Sequence, residues 1–110
     1  MILRKEALQG LLDAVEAGDA DQSFDGMGFG HISRARYAFN GSLNAFVALA
    51  GAVLPGWWWQ VSAPWDGKAH VALYPPKMDS AERSCGSNPD PARAGLIAIL
   101  KALIAKECEA

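Results

Sequence analysis

The stretch Leu54–Ser62, read LPGWWWQVS, sets three tryptophans in succession directly behind a Pro-Gly breaker. Such a run of aromatic and β-branched residues, bounded by turn formers, predicts a strand from Trp57 to Ser62. A strand alternates faces, so three adjacent tryptophans cannot all enter one core. At least one of them, taken here to be Trp58, faces the far side of its sheet. There it is either covered by a helix or exposed as an anchor for a partner.

The flanking chain supplies the rest of the fold. After the strand, Ala63 to Lys68 reads as a turn and Ala69 to Tyr74 as the returning strand. A two-residue turn at Asp66-Gly67 places Trp59, Val61, Ala72 and Tyr74 on one face. Trp58, Gln60, Val71 and Leu73 then share the other. A longer loop gives a different register. Before the strand, residues 42–54 predict a helix capped by Asn40 or Ser42 and stopped by Pro55-Gly56. Its apolar stripe is Leu43, Phe46, Val47, Ala50 and Leu54. With almost no polar face, it is expected to be the most buried helix.

Residues 3–17 predict an amphipathic helix with Leu8, Leu11, Leu12 and Val15 on one stripe and Gly18 ending it. Residues 19–36 are rich in Asp and Gly and read as loop, with a short strand at His31–Arg36 and Ile32 turned inward. Residues 75–89, polar and turn-rich, read as a long surface loop. Asp90-Pro91 starts a last helix, about Ala92 to Glu107, through a capping Asp and a first-turn Pro. Its stripe is Leu96, Leu100, Leu103 and Ile104, widened by Ile97 and Ile99. The expectation is one domain over residues 1–110. It is an α/β (α+β) fold with three helices on a two- or three-stranded antiparallel sheet, α-β-α sandwich-like, in the order α-(β)-α-β-β-α.

Charge and composition exclude several functions. Residues 1–40 carry four Lys/Arg and six Asp/Glu, and residues 41–110 carry six of each. Without a basic half or tail, non-specific nucleic-acid binding is disfavoured. No charge occurs from Tyr37 to Trp65, but Asn40, Asn44, Pro55 and Gln60 interrupt the run. It therefore reads as buried core rather than as a membrane span. The start, MILRKEALQG, reaches charge at once, unlike a signal peptide. Cys85 and Cys108 match no disulfide framework and read as free thiols in a reducing cytosol; a single loop-to-helix disulfide is the alternative.

Catalytic and ligand patterns are sparse. His31, His70, Cys85 and Cys108 are never paired at metal-ligand spacing. Gly26-Met-Gly-Phe-Gly30 lacks the spacing of a phosphate cradle and reads as loop. His70 and Ser62 on paired strands offer a base and a hydroxyl, a coincidence common in any chain of this length. Asp13, Glu16, Asp19, Asp21 and Asp25 read as a solvated face and loop. No catalytic, cofactor or metal residues are assigned. The candidate partner surface is Trp58 with Arg34, Arg36 and Tyr37.

Three stretches carry a resemblance. LLDAVEAGDADQSF near the N-terminus, RYAFNGSLNAFVALAGAVLPGWWWQVS in the middle and PARAGLIAILKALIAK at the end resemble small phage and prophage proteins with the phage α-β-α (ABA) sandwich domain. The shared pattern covers most of the chain, and Leu54-Pro-Gly-Trp57 is its most specific part. The break after the first helix lacks the family's usual Pro and Arg, and Phe39-Asn40 stands where a Tyr-Thr pair is often seen. The resemblance implies the fold and a phage or prophage origin. It implies no reaction, because the family carries no assigned activity. The expectation is a cytoplasmic accessory protein, non-catalytic, that binds another protein or itself; single-stranded nucleic acid is the second class and a small enzyme or metal protein the third.

Overall fold

The computed structural model describes residues 4–19, 31–62, 67–76 and 83–108. The Gly26–Gly30 loop, Asp21, Asp25, Trp65, Asp66 and the side chain of Cys108 lie outside the described residues. Four helices and three strands follow in chain order: α1 Arg4–Ala17, α2 Ile32–Phe39, α3 Leu43–Val53, β1 Trp58–Ser62, β2 Ala69–Tyr74, β3 Ser84–Asn88 and α4 Pro91–Cys108. The architecture is mixed helix and antiparallel sheet, as expected, with one more helix and a third strand in a different place.

The strand expected at His31–Arg36 is part of a helix instead. Ala35, Ala38 and Phe39 are its buried residues, a helical spacing, and Ile32 packs against the core from the same side. Its end is set by Asn40-Gly41. Gly41 takes φ +103°, while the Gly41 and Ser42 amides donate to the carbonyls of Ala38 and Tyr37. This paired closure needs a left-handed residue just past the helix. Ser42 then caps α3, its hydroxyl accepting from the Ala45 amide at 3.1 Å. The same closure ends α1, where Gly18 and Asp19 donate to Val15 and Ala14.

The sheet has the order β1-β2-β3 and is antiparallel throughout. Trp58 pairs with Tyr74, Gln60 with Ala72 and Ser62 with His70. The two-residue-turn register is thereby corrected by one position: a longer loop joins β1 to β2. Trp59 and Val61 now share a face with Val71 and Leu73, which are buried, while Trp58 shares the outer face with Ala72 and Tyr74.

The third strand lies within what the sequence presents as surface loop. β3 pairs with β2 from Leu73↔Ser84 to Ala69↔Asn88. Its inward residues are Ser84 and Gly86, both buried. Helix α4 passes so close that a Cβ on Gly86 would meet the Ala94 carbonyl oxygen, and Ala98 N at 2.8 Å. Apolar side chains have no room there, so the strand carries no hydrophobic alternation.

Helix α4 lies between the sheet on one side and α1, α2 and α3 on the other. It buries every residue from Ala94 to Leu100, more than the single stripe expected, and is the most buried helix. That correction displaces α3, which buries Phe46, Leu49 and Ala50 but leaves Leu43 and Val47 exposed. Gly95 opens α4 to the Phe46 ring, whose atoms lie where a Cβ would stand. Asp90 caps α4 through the Ala92 amide at 2.9 Å. Arg93 ties α2 down by donating to the Phe39 carbonyl at 3.1 Å and lying 3.9 Å over its ring. Among the described residues, no helix is long and apolar enough to cross a membrane.

Candidate functional site

The outer face of the sheet gathers aromatic, hydroxyl, imidazole and thiol side chains. Alternation projects Trp58, Gln60 and Ser62 from β1, His70, Ala72 and Tyr74 from β2, and Cys85 and Ser87 from β3. Three cross-strand rows result: Trp58–Tyr74, Gln60–Ala72–Cys85 and Ser62–His70–Ser87. The latter two surround a shallow hollow of about 250 Å³ that also reaches Tyr74.

At one end Trp58 stacks on Tyr74, with ring centroids 4.0 Å apart and planes 12° from parallel. Trp58 remains 41% exposed. The neighbouring Trp59 turns to the other face and meets Phe46 edge-on at 5.5 Å. Alternation thus divides the tryptophans as the sequence requires. Stacking fixes the Trp58 ring and lowers the entropy lost if a partner covers it.

At the other end His70 Nδ1 and Ser87 Oγ share a hydrogen bond of 2.6 Å. The hydroxyl that sequence reasoning set beside His70, Ser62, is its register partner on the other side. Ser87 escaped notice because β3 reads as loop. Among the described residues, no Asp or Glu lines this hollow. Cys85 is a free, exposed thiol on the same face.

The rest of the expected surface lies elsewhere. Arg36 and Tyr37 line a hollow of about 210 Å³ on α2 with Ile32, Ser33 and Asn40, and Trp58 is not among its walls. Arg34 and Arg36, two positions apart on a helix, project from opposite flanks. Helix α2 packs on α3 and α4. His31 precedes α2, and its Nδ1 is buried without a hydrogen-bond partner. No cluster of three His, Cys, Asp or Glu able to hold a metal occurs among the described residues.

The fold and this face define a small α+β domain whose sheet presents one open, aromatic and polar surface. Comparison with family models, curated proteins and solved structures finds no match to this chain.

Proposed function

We propose that the protein is a non-catalytic binding module that takes up another polypeptide, a partner protein or a second copy, along β1. The observation that carries this reading is the exposed Trp58 ring stacked on Tyr74. β1 is an outer strand of the sheet, and WWQVS contains no charge and no proline. Those are the devices that natural edges use to refuse a further strand. A partner strand laid beside β1 gains main-chain hydrogen bonds, and the Trp58 ring supplies the buried aromatic that dominates such contacts. The resemblance to phage α-β-α sandwich proteins supports a phage accessory role inside a bacterial cell.

The test is sedimentation of the protein over a range of concentration, alone and with host lysate fractions, followed by backbone amide exchange. Association that protects the β1 amides and weakens at least tenfold in Trp58→Ala supports the reading. A monomer that captures nothing through β1 removes it. Nucleic acid as the partner would instead show as retention that falls steeply with salt.

A further inference from the structure

A second cavity adjoins the sheet near Cys85, away from Trp58. It holds about 410 Å³ between Trp57, the start of β3 and the C-terminal half of α4, within the size range of small-molecule sites. Arg83, Lys101 and Lys106 stand in its walls, and among the described residues no acid does. These are three of the ten Lys and Arg of a chain with net charge −2. The helix dipole accounts for Lys106, in the last turn of α4. It does not account for Lys101, further back, or for Arg83, which comes from another part of the chain.

The apolar wall has its own shape. Trp57 is half-buried and packs against the core, so its indole is held in place. Ala102 and Ala105 of α4 line the same hollow, and their side chains are small. A fixed aromatic beside small residues suits a planar group, and the cations suit phosphate oxygens.

We propose that this cleft binds a phosphorylated small molecule with a planar base, of the nucleotide class. The base lies against Trp57, and the phosphates meet Arg83, Lys101 and Lys106.

The test is titration calorimetry at low salt with ADP, pyrophosphate and adenosine as separate probes. ADP binding tighter than pyrophosphate, with adenosine weakest, is expected. The pair Arg83→Gln/Lys101→Gln should lower ADP affinity at least tenfold, and Trp57→Leu should reduce ADP binding more than pyrophosphate binding. Because Trp57 also touches the core, its melting curve is compared with wild type; Ala105→Leu, exposed and helix-compatible, fills the cleft without that risk and should abolish ADP binding. No ADP binding at millimolar concentration, or binding unchanged in both Arg83→Gln/Lys101→Gln and Ala105→Leu, overturns the proposal. Equal binding of ADP and pyrophosphate overturns the role of the base. None of these outcomes depends on β1 or Trp58.

Discussion

On the side turned to α4, strand β3 offers Ser84 and Gly86; on the other, one residue further along each time, it offers Cys85 and Ser87. The four residues are similar in size, yet their surroundings differ completely. Behind Gly86 the α4 backbone stands within 3 Å of where a Cβ would be. In front of Cys85 and Ser87 there is an open hollow. The inner face is thus set by backbone contact and cannot yield, while the outer face is set by side chains that can be exchanged. Stability should therefore reside on one face and recognition on the other.

The largest break in that contrast is expected at Gly86. Gly86→Ala drives a methyl into the Ala94 carbonyl and the Ala98 amide, and neither can move without displacing α4. Overpacking of this kind should cost about 3 kcal/mol, measurable as a fall in melting temperature of roughly 10 °C or more. Cys85→Ala, the adjacent outer residue, should change it by less than about 0.5 kcal/mol. Equal losses at the two positions would contradict the close packing of α4 on β3.

Gly95→Ala comes next. An alanine within a helix gains up to about 1 kcal/mol over glycine, but here its methyl meets the Phe46 ring. A side chain yields more readily than a backbone, so a net loss of about 2 kcal/mol is expected. The double variant with Phe46→Leu should recover part of it, as seen in chemical denaturation. No recovery would place the strain elsewhere.

Ser84→Ala should cost about 1 kcal/mol. It removes the hydroxyl that donates to the Ala98 carbonyl at 2.8 Å. The Ala98 carbonyl lies within the helix ladder and keeps a backbone donor there, so the loss stays below that of Gly86→Ala. A Cys in place of Ser84 would keep a weak donor, and its melting temperature should fall between the two.

How much of this was legible before the structure depends on what each residue is used for. β1, β2, α1, α3 and α4 show in the sequence because their inward residues are large and apolar and recur at the period of their element. Ser42 and Asp90 show as caps for the same reason of local chemistry. β3 does not show, because close approach of α4 demands Ser84 and Gly86, and these are also turn residues. Helix α2 was hidden by its short length and by Arg34 and Arg36; the Asn40-Gly41 stop was its one available signal. By sequence α3, which carries no charge, looks more buried than α4, which carries Arg93, Lys101, Lys106 and Glu107; only the position of α4 between sheet and helices reverses that order. On the open face, the division of the tryptophans followed from alternation. The Trp58–Tyr74 stack and the His70–Ser87 bond needed the register and the third strand, and neither is encoded locally.

The smallest effect belongs to the outer face itself. His70→Ala removes a 2.6 Å hydrogen bond with Ser87 on strands that remain paired through their backbones. Both groups border an open hollow, so water replaces the lost partner and the expected cost is about 0.5 kcal/mol or less. The Ser87→Ala variant should cost no more than that, and the two together little more than His70→Ala alone, since both remove the same bond. A melting temperature within about 2 °C of wild type for all three is the expected result. A loss near that of Gly86→Ala would mean that the His70–Ser87 pair anchors β3 to β2, and the outer face would then share the structural duty assigned here to the inner one.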